Sequence, residues 1–158
     1  MSVQDCPEVL RFSLQILATS SKFFHALFYS KFSESSQQEI KLVDVKHLEF
    51  VDFLNLIYPT HKCIDEDNVE HLLKLADRLE APSVLEKCEE YLISSNEVHK
   101  VMKLKYAEIY KLSRLQDKCL NTITSRQDIV TLSKHEDYKS LGDCTYNVLL
   151  QKMIELNC

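Results

Sequence analysis

The stretch Ile16 to Glu34, ILATSSKFFHALFYSKFSE, decides how the rest of the chain is read. It divides into a short helix, a serine pair, a second helix and a polar exit loop. A serine hydroxyl accepts from the free N–H groups of a first helical turn, so Ser20 and Ser21 are candidate caps for the second helix. Phe24, Leu27 and Phe28 then recur at i, i+3 and i+4, which is one face of an α-helix. Phe23 and Ala26 widen that apolar arc until little is left for solvent. A helix of this kind is expected inside a core or against a partner chain. In the exit loop, Phe32 stands two residues before Glu34 among serines and glutamines. Residue physics leaves two readings for Phe32: folded back onto its own domain, or offered to another protein. Single exposed apolar residues are common, which makes the first the default.

Working outward, residues 1–15 are weakly patterned and Pro7 interrupts them. Downstream, Glu39 to Val43 (EIKLV) alternates polar and apolar, the pattern of a short half-buried strand. Asp44 is a candidate cap for the next helix. Phe50, Phe53, Leu54 and Ile57 give that helix an i, i+3, i+4, i+7 stripe. Pro59 removes a backbone donor and ends it near Tyr58. Asp67 and Glu70 have the spacing of a capping box, ahead of a second full stripe at Val69, Leu72, Leu73 and Ala76. Pro82 suits the first position of a further helix, whose buried face is Val84, Leu85, Cys88 and Leu92. Ser94-Ser95-Asn96 marks the internal boundary, giving domains 1–95 and 96–158. Beyond it helix follows helix: Val98 to Leu104, then Leu112 to Ile123. A short one is capped by Asp128. The last follows Asp143, with Tyr146, Leu149, Leu150, Met153 and Ile154 as its apolar stripe. No fixed period links the helix pairs, so the chain is not a solenoid.

Composition narrows the function. The 158 residues fit one domain with a small extension, and the net charge of -5 has no basic face to set against phosphates, which argues against nucleic acid. A single glycine, Gly142, cannot build a phosphate-cradling loop or a run of tight hairpins. No apolar run reaches membrane-spanning length. The six cysteines form no C-x-x-C pair and follow no signal peptide, so reduced thiols in the cytosol or nucleus are expected.

Catalytic signatures are missing. Neither G-x-S-x-G nor H-E-x-x-H occurs. His61 and Cys63 come nearest to a metal pair, but two residues fall short of four ligands. Neither a cofactor nor a metal is expected, nor an enzyme. Glu89-Glu90 and Asp65-Glu66-Asp67 read as solvated faces and caps. What remains is a small acidic helical module suited to protein–protein contact.

The residues in order then resemble a family. ILATSSKFFHALF is similar to the core helices of the BTB/POZ domain. IKLVDV, followed by FVDFLNLIYPTHKCIDEDNVEHLLKLADRLEAPSVLEKCEEYLI, resembles the remainder of that domain. KLKYAEIYKLSRLQDKCLNTI resembles the BACK-like helical extension that follows it in the nematode-type MATH–BTB group. The resemblance implies an α+β, mostly helical fold: a helical cluster with a small sheet, then the extension. The region before Ile16 is shorter than the hairpin that opens such domains, so the sheet is expected to be truncated, with an open edge. The resemblance also implies homodimerisation through Leu14, Ile16, Leu17 and Phe23, and service as an adaptor for a cullin-3 ubiquitin ligase. In such adaptors a φ-x-E motif after the core helices docks on the cullin. Phe32-Ser33-Glu34 matches it in kind and place, with Tyr58 as an accompanying contact, and this turns Phe32 toward a partner. The other expectation is a scaffold or competitor that pairs with longer BTB proteins, because no MATH, Kelch or zinc-finger segment occurs in the sequence.

Overall fold

The computed structural model describes residues 15–29, 42, 44–58 and 63–156. The chain falls into two compact units, Met1–Cys88 and Glu89–Cys158. Among the described residues every regular element is helical. The expected strand Glu39 to Val43 falls almost wholly outside them, with Leu42 as its one described residue, in no regular element.

The first unit starts with helical residues 15–20, here α1. Helix α2 (Lys22–Tyr29) follows after Ser21 alone. Ser21 carries out the capping expected of it: its Oγ accepts from the Phe24 N–H at 3.2 Å and donates to the Leu79 carbonyl at 2.5 Å. The Lys22 N–H donates to the Glu80 carbonyl at 3.1 Å. One buried hydroxyl thus starts α2 and fixes it to the end of a helix 58 residues later. The expected burial of α2 is only partly met. Phe24 is buried, Phe23, Leu27 and Phe28 are half-buried, and Ala26 and Tyr29 are exposed.

Helix α3 (His47–Ile57) ends at Tyr58, whose N–H donates to the Leu54 carbonyl. Asp44 does not cap it. Asp44 sits in a left-handed turn with φ +57°, and Lys46 occupies the cap position. Helix α4 (Val69–Arg78) packs on α3. The box expected at Asp67 and Glu70 does not cap it: Asn68 holds the cap position without a side-chain cap bond, and a reciprocal pair forms instead in the turn just before the helix. The Asp65 N–H donates to Asn68 Oδ1 at 3.0 Å, and the Asn68 N–H donates to Asp65 Oδ1 at 2.9 Å. The reciprocal bonding of a capping box is therefore made by an Asp–Asn pair. The stripe of α4 is the centre of this unit: Val69, Leu72, Leu73, Leu75 and Ala76 are all buried. Helix α5 (Pro82–Ser94) begins at Pro82, as the sequence predicts.

The second unit contains α6 (Lys100–Tyr110), α7 (Ser113–Asn121), α8 (Arg126–Ser133), a 3-10 segment (Glu136–Ser140) and α9 (Asp143–Glu155). Helix α6 packs on α7, on the 3-10 segment and on α9, and α8 also packs on α9. Glu89 is a correction to the solvated reading. It is buried, and its Oε1 accepts from the Leu115 N–H at 3.0 Å, which supplies a first-turn acceptor where Leu112 at the cap position offers none. Asp128 acts from the third helical position, in a box with Ser125 at the cap. In α9 the expected core stripe fails. Leu149 and Thr145 are buried, while Leu150 and Ile154 are 59% and 60% exposed.

Candidate interaction surface

The first unit has an outward apolar face on α3. Leu48 is 76% exposed, Val51 36%, and the two are one turn apart. The opposite side of the helix holds it in place. Phe53 is fully buried, Phe50 stacks on Phe53 at 6.1 Å, and Phe50 meets Phe24 of α2 at 6.3 Å. Polar contacts add to this. Asp52 Oδ2 is 3.2 Å from His71 Nε2 on α4, and Lys87 Nζ on α5 donates to the Leu56 carbonyl at 2.6 Å. The face is therefore rigidly backed. Glu49, in the first turn, is bonded to Lys46 Nζ at 2.9 Å, and that hydrogen bond holds its carboxyl below the ordinary value.

Of the residues implied in cullin contact, Phe32 and Glu34 lie outside the described residues. Tyr58 is half-buried at the C-terminal end of α3. Of those implied in dimerisation, Leu14 also lies outside. Ile16 and Leu17 on α1 and Phe23 on α2 are half-buried. Phe23 meets Phe24 edge-on at 5.3 Å. The α1–α2 side thus carries partly open apolar groups next to a closed aromatic core. The sequence reading does not single out Leu48 and Val51, because neither belongs to the i, i+3, i+4, i+7 stripe that marks the buried side of α3. The signal available was their place on the opposite side of the same helix.

Among the described residues no group of three histidine, cysteine or acidic side chains is placed to hold a metal ion. His61 lies outside those residues, and Cys63 is exposed. Cys88 and Cys119 are buried free thiols, and burial pushes Cys88 up to about 12, which makes it a packing group rather than a nucleophile. No helix among the described residues is long and apolar enough to cross a membrane.

Comparison with known proteins gives a consistent result. The BTB/POZ domain family matches residues 8–96. The chain is 56% identical over 142 residues to BTB and MATH domain-containing protein 36 of Caenorhabditis elegans, covering 90% of this chain and 44% of that protein. It is 39% identical over 140 residues to BTB and MATH domain-containing protein 38 of the same organism, covering 89% and 36%. Kelch repeat and BTB domain-containing protein 1 of vaccinia virus is 29% identical over 132 residues, covering 81% and 22%. The chain therefore spans less than half the length of these curated relatives.

Proposed function

The chain belongs to the BTB/POZ family of protein–protein interaction modules, and from that premise we propose that it is an adaptor for a cullin-3 ubiquitin ligase that acts as a dimer in the cytosol or nucleus. The observation that carries the proposal is the Phe32-Ser33-Glu34 match to the φ-x-E pattern, in the segment between α2 and α3. The outward Leu48–Val51 face on α3 supports it, because a firmly backed apolar patch is what a partner surface needs. An aromatic anchor such as Phe32 can carry most of the energy of a small interface. Ile16, Leu17 and Phe23, half-buried in the single chain, would complete their burial against a second copy. The same contacts extend to mixed pairs with longer relatives, since 56% identity over 142 residues leaves room for a shared interface. Pairing without ligase function is the second reading.

Size-exclusion chromatography with light scattering tests both. The chain alone is expected at twice its monomer mass, and with cullin-3 at the mass of a complex of two chains and two cullins. A monomer that carries no cullin ends the proposal. A dimer that carries none leaves only the pairing reading.

A further inference from the structure

A cavity of about 510 Å³ lies in the second unit, where the end of α5 meets α6, α7 and α8. Leu92, Leu115 and Leu132 line it with buried apolar side chains. Lys100, Lys103 and Lys118 also line it. This is unexpected in a chain with 24 acidic and 19 basic side chains. Among the described residues none of the three ammonium groups stands within 4 Å of a carboxylate. Lys103 instead donates to a neutral acceptor, the Ser95 carbonyl, at 2.5 Å. Burial lowers its pKa, and the charge of Lys100 works in the same direction while Cys119 opposes it. One carboxylate, Asp128, does border the cavity. It already accepts from the Thr124 and Ser125 N–H groups at 3.0 and 2.9 Å, at the start of α8.

Three lysines border a cleft whose walls are partly apolar, from the buried leucines, and partly polar, from Ser95, Asn96, His99, Thr122 and Thr131. A concave site lined by one sign of charge concentrates a positive field. A compact anion that entered would gain charge-assisted hydrogen bonds from flexible donors. A dianion answers three cations better than a single carboxylate does. The volume falls within the roughly 300–1,000 Å³ of small-ligand sites. We propose that this cavity binds a phosphate monoester, with Lys100, Lys103 and Lys118 as its ligating side chains. That chemistry is shared by a phosphorylated serine of a partner protein and by a free sugar phosphate. The inference is independent of the cullin reading.

Titration calorimetry on the full chain, at about pH 7 and low salt to limit screening, tests it with two probes. One is glucose 6-phosphate. The other is a phosphoserine hexapeptide, compared with its unphosphorylated twin. At least one phosphorylated probe is expected to bind, with the twin at least about tenfold weaker. Lys100→Gln with Lys118→Gln is expected to weaken binding about tenfold or more, while Lys100→Arg with Lys118→Arg retains most of it. Lys134→Gln, a lysine outside the cavity, is expected to change nothing. Lys118→Gln alone, at an exposed position, gives a measurable loss even if the double variant fails to fold. Binding of the peptide alone assigns the site to a partner protein, and binding of glucose 6-phosphate alone assigns it to a metabolite. Absence of binding by both, or losses in Lys134→Gln equal to those in the cavity variants, overturns the proposal.

Discussion

Helices α3 and α4 pack on one another and carry the same i, i+3, i+4, i+7 apolar spacing, yet they use it differently. In α4, Val69, Leu72, Leu73 and Ala76 are each at most 1% exposed. In α3 the corresponding positions give only Phe53 complete burial, and Leu48 and Val51 point outward on the other side. A helix with one apolar face has a single place to go. Helix α3, apolar on two sides, has its inner side taken by Phe24 and α4 and its outer side left exposed. Periodicity thus says which positions are apolar, and packing decides which of them remain available.

The sharpest way to break this contrast is Leu73→Ala. Leu73 is fully buried in the middle of α4, and truncation leaves a cavity. A loss of about 2–5 kcal/mol is expected, read as a lower denaturation midpoint in urea. A change below about 1 kcal/mol would mean that α4 is not the centre of its unit. Next comes Asn68→Ala, which removes one half of the reciprocal box with Asp65 and the contact of Asn68 Nδ2 with the Cys63 carbonyl at 3.2 Å. About 1 kcal/mol is expected. Leu48→Asp is the complementary test. At 76% exposure it is expected to shift stability by no more than about 0.5 kcal/mol while weakening partner binding. If it unfolds the chain, the outer face of α3 is structural.

The smallest effect is the pH dependence at the start of α3. The Lys46 hydrogen bond lowers the folded pKa of Glu49 below its ordinary 4.5. For an acid with a lowered folded value, the stabilisation is present above the ordinary value and is lost as pH falls through the folded one. The thermal midpoint of the wild type is therefore expected to exceed that of Glu49→Gln slightly above about pH 4.5 and to converge with it below. Because the pair is surface-exposed, the gap also shrinks in high salt.

Much of the fold was legible in the sequence where a single physical rule governs. The α4 stripe, the Pro82 start of α5 and the Ser21 cap follow from periodicity, ring geometry and hydroxyl chemistry. The sequence puts a capping box at Asp67-x-x-Glu70, but Asp65-x-x-Asn68 has the same spacing, and the fold makes the reciprocal bonds there, with Asn68 at the cap position of α4. Glu89 reads as solvated from the sequence because its partner, the Leu115 N–H, is 26 residues away. The stripe of α9 shows the opposite failure. Leu150 and Ile154 keep helical spacing with Leu149 but stay exposed, and the sequence does not reveal how much core is on offer. The BTB/POZ family was recognisable because its motifs come in a fixed order, whereas the lysine-lined cavity had no linear signature. Lys100 and Lys103 share a helix face, but Lys118 joins them only through the α6–α7 packing.

The most direct test of the adaptor reading is the affinity of the chain for cullin-3, compared with that of the Phe32→Ala, Glu34→Lys double variant. The variant is expected to bind at least about tenfold more weakly, a difference of about 1.4 kcal/mol or more, with an unchanged thermal midpoint. Equal affinity in the two proteins would contradict the account.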